Sequence, residues 1–132
     1  MKENETKIGG KVLVIDDDQT ITDLIKMLLG RDGYRVFVAN SGRQGIDLAR
    51  QVGPNLILMD ITMPDMDGYE ATKQLKADPK LQGVPVIFLT GKSASEDGGR
   101  AFATGGLAYM RKPFTNQQLK DLVALAMQSI KV

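Results

Sequence analysis

The chain has 132 residues, 42% of them apolar, enough to build one hydrophobic core but not two. Seventeen Lys and Arg against sixteen Asp and Glu leave a formal net charge of +1, so no global field draws the chain to nucleic acid or to a membrane surface. Cysteine and histidine are both absent, which excludes disulfides, thiolate nucleophiles, imidazole metal ligands and a histidine general base.

Residues 1–10 are polar with mixed charge and lack the apolar centre of a signal peptide. They are expected to be a disordered lead-in to one domain over residues 11–132. No run reaches the length of a membrane span, and a cytoplasmic protein is expected.

From Lys11 onward, short runs rich in Val, Ile and Leu alternate with longer stretches of helical period, the pattern of a parallel sheet built from βα units. The first strand is expected at Lys11 to Asp16, followed by a helix from about Gln19 to Arg31. In that helix Ile21, Leu24, Ile25 and Leu28 recur at i, i+3, i+4 and i+7, and Gly33 ends it. A second strand, Tyr34 to Ala39, precedes a helix opened by a capping box of Ser41 and Gln44. Pro54 then punctuates before a third strand, Asn55 to Asp60. The third helix runs from about Tyr69 to Ala77, because Asp78 precedes Pro79 and a residue before proline is pushed out of the helical region.

A fourth strand is expected at Val84 to Thr90. Ser93 and Glu96 cap a fourth helix whose Gly98 and Gly99 each cost about 1 kcal/mol relative to Ala, making it the weakest element. The fifth strand is about Leu107 to Arg111. Thr115 and Gln118 cap the last helix, with Leu119, Leu122, Val123, Ala126 and Ile130 on its inner face. Five βα units result.

Four of the apolar runs end on a polar group suited to phosphate chemistry: Asp16 and Asp17, then Asp60, then Thr90, then Lys112. Parallel strands would bring these ends to one edge, where open α/β sheets place their ligands. A single Asp would suffice to cap the first helix. Three in succession, Asp16, Asp17 and Asp18, repel one another, and a hard divalent cation such as Mg2+ relieves that repulsion. Asp60 alone reads as a polar strand end. Beside a cation its carboxylate is placed to attack phosphorus and form an acyl phosphate. Thr90 and Lys112, an ordinary strand threonine and surface lysine if taken singly, would offer a hydroxyl and a point charge to the phosphoryl oxygens. Pro113 allows a turn, with a cis Lys112–Pro113 bond as one form, that aims the lysine inward. With no histidine here, an activated phosphate has to arrive from elsewhere.

In this order, Asp16-Asp17, Asp60 with Met63-Pro64-Asp65-Met66-Asp67-Gly68, Thr90, Tyr109 and Lys112-Pro113-Phe114, the chain resembles the receiver domain of two-component response regulators, the single-domain chemotaxis regulators among them. The resemblance spans essentially Lys11 to Val132. It implies a flavodoxin-like (βα)5 doubly wound sheet with strand order 2-1-3-4-5. It also implies that Asp60 accepts a phosphoryl group, that Asp16, Asp17, Asp60 and the Thr62 carbonyl hold Mg2+ or Mn2+, and that Thr90 and Lys112 contact the phosphoryl oxygens. Tyr109 would be the switch aromatic that follows Thr90.

The implied partners are a sensor histidine kinase or histidine phosphotransfer protein and a downstream protein docked on the fourth helix, fifth strand and last helix. Direct binding to nucleic acid or membrane is not expected, and the chain would be a monomer or a weak phosphorylation-dependent dimer. It would be a signalling domain rather than an enzyme. Thr62 and Lys92 occupy the positions the family links to phosphoryl lifetime. Gly105-Gly106-Leu107-Ala108 and the glycine pair depart from the usual pattern on the output side.

Two other readings use the same residues. Asp16, Asp18 and Thr20 match the Asp-x-Asp-x-Thr motif of haloacid-dehalogenase-like phosphatases, but no acidic pair follows Lys112 to complete that metal site, and Asp60 would have no role. A receiver-shaped module that is never phosphorylated would usually lack an essential acid, and none is missing.

Overall fold

The computed structural model describes residues 9–91 and 103–130. Five parallel strands, β1 (Lys11–Ile15), β2 (Arg35–Ala39), β3 (Leu56–Asp60), β4 (Val86–Thr90) and β5 (Ala108–Arg111), form one sheet in the order β2-β1-β3-β4-β5. Helices α1 (Gln19–Arg31), α2 (Gly42–Val52), α3 (Gly68–Ala77) and α4 (Asn116–Ile130) connect or follow them. The helix expected from Ser93, with Glu96, Gly98 and Gly99, lies outside the described residues, as does Lys92.

Side chains in a strand alternate between faces, so each strand here supplies two cores. Leu13, Ile15, Ile57, Met59, Val86 and Phe88 pack against Ile46 and Ala49 of α2 and Ala71 and Leu75 of α3. On the other face, Val12, Val14, Leu56, Leu58, Ile87 and Leu89 meet Ile25, Leu28 and Leu29 of α1 and Leu119, Val123 and Ala126 of α4. That division makes the sheet doubly wound. All five residues of β3 and of β4 are buried, which is why these runs are apolar without alternation.

Element ends follow local chemistry. Asp18 caps α1, Ser41 caps α2 and Asp67 caps α3, each accepting from backbone N–H groups of the first turn. At α4 the capping box is complete: Thr115 Oγ1 accepts from Gln118 N–H at 3.0 Å while Gln118 Oε1 accepts from Thr115 N–H at 2.8 Å. At α2 the box is displaced, because Gln44 Oε1 accepts from Asn40 rather than from Ser41. Gly33, at φ +94°, follows the C-cap of α1, and Asp78 at ψ 119° ends α3 before Pro79.

Most strands are shorter than their apolar runs. The first ends at Ile15 rather than Asp16, the second starts at Arg35 because Tyr34 N–H bonds back to Leu29, and the third and fifth start at Leu56 and Ala108. The fourth starts at Val86, not Val84: Pro85 has no N–H, and the Val84 carbonyl accepts from Lys76 Nζ. In α3, Gly68 adds a residue ahead of Tyr69. Met127 joins the inner face of α4, and Leu122 is only half-buried.

Thr72, fully buried on α3, has no hydrogen-bond partner for its Oγ1 among the described residues. An unpaired buried hydroxyl is a standing penalty. Thr72→Val keeps the shape and removes it, and thermal unfolding should show a gain of about 1 kcal/mol, a rise in Tm of about 4 °C.

Candidate functional site

Strand order reverses direction at β1: the chain goes from β1 to one neighbour, β2, and later returns to the other, β3. Connections leaving to opposite sides open a crevice at the carboxyl ends of β1 and β3. The register pairs Ile15 with Met59, so the next residues, Asp16 and Asp60, stand side by side at that crevice. Asp16 is fully buried and Asp60 is 5% exposed, while Asp17 is exposed at the rim. One carboxylate oxygen from each of the three lies within 4.8 Å of the others.

Lys112 directly follows β5, and the Lys112–Pro113 bond after it is cis. Its Nζ donates to Asp16 Oδ2 at 2.8 Å and to Asp60 Oδ1 at 3.1 Å. Its backbone N–H donates to the Thr90 carbonyl at 2.6 Å, fixing the lysine to the end of β4. Thr90, buried, comes one residue after Leu89, which pairs with Asp60. The crevice therefore brings together Asp16, Asp17, Asp60, Thr90 and Lys112, as the strand-end pattern anticipates. The third acid is not part of the cluster. Asp18 Oδ1 accepts from Thr20 and Ile21 at the start of α1, and Asp18 N–H donates to Asp16 Oδ1 at 2.9 Å. Tyr109 is half-buried on β5, and Thr62 is exposed in the loop after β3.

The charges do not balance. Burial, then the Asp16 carboxylate, push the Asp60 carboxyl up from 3.8 to about 6, against the opposing pull of the Lys112 ammonium. Burial draws Lys112 down, but its bonds to Asp16 and Asp60 outweigh that and hold it above the ordinary lysine value. Three carboxylates against one ammonium leave two negative charges in a cluster of hard oxygen donors. A small divalent cation such as Mg2+ fits that donor set and that charge.

The loop after β3 contributes contacts that its sequence did not reveal. Asp65 Oδ1 and Oδ2 accept from Gly42 and Arg43 N–H at the start of α2, each at 3.1 Å. Burial works to raise the Asp65 carboxyl, but these amide bonds prevail and lower it. Asp65 was legible only as part of a motif. No periodicity signals a bond to a helix 22 or 23 residues away.

The response regulator receiver domain family model matches residues 12–124. Protein PilH of Pseudomonas aeruginosa is 35% identical over 109 residues, covering 83% of this chain and 90% of that protein. The probable transcriptional regulator ycf29 of Pyropia yezoensis is 34% identical over 113 residues, 86% of this chain but only 51% of its own length. The chain thus spans about half of that relative.

Among solved structures, the chemotaxis protein CheY4 of Vibrio cholerae superposes with a TM-score of 0.86 at 27% identity, covering 89% of this chain and 98% of that one. The receiver domain of sensor histidine kinase PA1611 from Pseudomonas aeruginosa, described with a magnesium ion in its active-site cleft, gives 0.83 at 29% identity over 91% of this chain and 98% of that one. Fold and crevice define a flavodoxin-like α/β domain with an acidic cluster at its strand ends. The chain belongs to the response regulator receiver family.

The raised Asp60 carboxyl has a consequence for stability. Because its pKa is higher folded than unfolded, the folded chain takes up a proton between about pH 6 and 3.8 that the unfolded chain does not. Without divalent cation, Asp60 therefore weakens the fold most above pH 6, and the effect fades as pH falls toward 4. In EDTA, Asp60→Asn should be more stable than the wild type by up to about 3 kcal/mol at pH 7.5, with the difference in Tm shrinking at pH 4.5. Equal Tm values at both pH values would refute this.

Proposed function

We propose that Asp60 is the phosphoacceptor, that Asp16, Asp17, Asp60 and the Thr62 carbonyl hold Mg2+ or Mn2+, and that Thr90 and Lys112 meet the phosphoryl oxygens. The observation that carries this reading is the juxtaposition of Asp60 with Asp16, Asp17 and Lys112 at the switch point of the sheet. The bound cation would supply charge neutralisation between carboxylates and phosphoryl oxygens.

The chain's own groups do the rest. Asp60, held by Lys112 at one oxygen, attacks phosphorus with a carboxylate oxygen; the new O–P bond forms as the donor's P–N bond breaks, and the acyl phosphate remains on Asp60. Lys112, now beside a dianion, keeps its proton, since Asp16 alone already favours the ammonium. A partner's phosphohistidine, on a sensor kinase or phosphotransfer protein, supplies the group that this histidine-free chain cannot generate. The chain catalyses only its own phosphorylation and dephosphorylation.

Readout is assigned to the β5 and α4 side. A cleft of about 580 Å³ there is lined by Tyr109, Met110, Arg111, Leu122 and Leu125 among others, and Leu125 is 63% exposed. Tyr109 connects this cleft to the core beneath α2 and α3. A phosphoryl dianion drawing Thr90 inward would release space for Tyr109 and so reshape the surface offered to a downstream protein. No helix among the described residues is long and apolar enough to cross a membrane.

The phosphatase alternative needs Asp18 free to act in catalysis, and Asp18 is occupied as the α1 cap. Incubation with Mg2+ and a small phosphodonor, followed by mass spectrometry of the acid-stable, base-labile group, tests both. Label should fall on Asp60 and vanish in Asp60→Asn. Label on Asp16 would support the phosphatase, and absence of label with a competent kinase as well would support a silent module. Lys112→Ala should fold, since Asp60 can take up a proton, but label about 100-fold more slowly, the usual effect of removing one preorganised donor.

A further inference from the structure

The segment from Ile61 to Asp67 joins β3 to α3 and carries Thr62. It is fastened at both ends. Gly68 N–H donates to the Ile61 carbonyl at 2.8 Å, closing the segment into a loop, and Asp67 caps the first turn of α3. A Cβ on Gly68 would come within 2.4 Å of the Asp60 carbonyl oxygen, so only glycine lets α3 begin this close to the backbone of Asp60.

The middle of the loop is fastened differently. The Asp65 carboxylate takes both of the first two amides of α2, and Met66 lies so near that a Cβ on Gly42 would approach its Cγ to 2.8 Å. Helix α2 already has a cap of its own, Ser41, whose Oγ accepts from Gln44 N–H at 3.1 Å. Asp65 is exposed and makes no core contact. The bidentate bond therefore serves the loop more than the helix: an anionic group seated on a helix N-terminus is a firm attachment point.

We propose that Asp65 is a positioning residue for the cation site: anchored on α2, it holds the loop that carries Thr62 in place, so that the loop need not be ordered when the cation binds. The inference rests on the reading that Asp16, Asp17, Asp60 and Thr62 hold Mg2+. Fixing a residue's backbone costs about 1–2 kcal/mol, and a ligand carbonyl on an unanchored loop passes that cost to binding. Loss of such an outer support weakens metal sites by about tenfold or more.

The test is a Mg2+ titration of the full chain followed by backbone amide shifts in NMR, for wild type, Asp65→Ala, Asp65→Asn and Ser41→Ala. Asp65→Ala should weaken Mg2+ about tenfold, and Asp65→Asn less, because an amide oxygen still accepts one of the two bonds. Ser41→Ala removes a cap from the same helix end without touching the loop, so it should lower Tm in EDTA but leave the Mg2+ affinity within twofold of wild type. A wild-type affinity in Asp65→Ala, or an equal loss in Ser41→Ala, overturns the inference while leaving the phosphoacceptor reading intact. A wild type that binds no Mg2+ overturns both.

Discussion

The structure turns on an electrostatic conflict. Asp16 and Asp60 are placed side by side by the register of β1 and β3, both nearly excluded from water, with Asp17 close at the rim. The Asp16 carboxylate disfavours ionisation of Asp60, and the sheet cannot separate the two without shifting strand pairing. Lys112 reconciles them only in part. It bonds to both, yet the Asp60 carboxyl is still pushed up to about 6. The fold thus holds a group in a state that favours whatever brings positive charge to it.

The surroundings of that conflict are rigid. Apolar strands β3 and β4 are buried along their full length, and the loop after β3 is held by Gly68, Asp67 and Asp65. Rigidity matters because phosphoryl transfer gains mainly from positioning, and a loose carboxylate would be a weak nucleophile as well as a weak ligand. The β5 and α4 side is built otherwise. Tyr109 is half-buried, Leu107 and Leu125 are exposed, and residues of both strand and helix line a cleft. Precision sits on one side of the sheet's edge and adaptability on the other.

Much of this was legible in the residues. Alternating apolar runs and helical periods gave five strands and the face assignments of α1 and α4, because burial imposes the two periods directly. Strand ends gave the pocket, since parallel strands share one carboxyl edge. Boundaries were less legible. Val84 and Pro85 continue an apolar run but cannot continue a ladder, and Tyr34 belongs by its amide to the end of α1. The aspartates were harder still: Asp16, Asp17 and Asp18 are one residue type in succession, and the fold makes them a buried carboxylate, a rim carboxylate and a cap. Asp65 was beyond reach, because its partners Gly42 and Arg43 are neighbours only after α2 and α3 have packed on the same face.

The backbone bond from Lys112 N–H to the Thr90 carbonyl makes a crossbar between the ends of β4 and β5, one step beyond their last paired residues. Three residues later Thr115 closes the cap of α4. Only a short length of main chain therefore lies between Thr90 and the start of a helix, so a displacement at Thr90 would have a short path to α4. For anyone building an optical sensor on this scaffold, that places the useful attachment point for a dye in the exposed first turn of α4, at Asn116 or Gln117. A dye there would sit on the lever itself, and its signal would scale with movement of the strand ends.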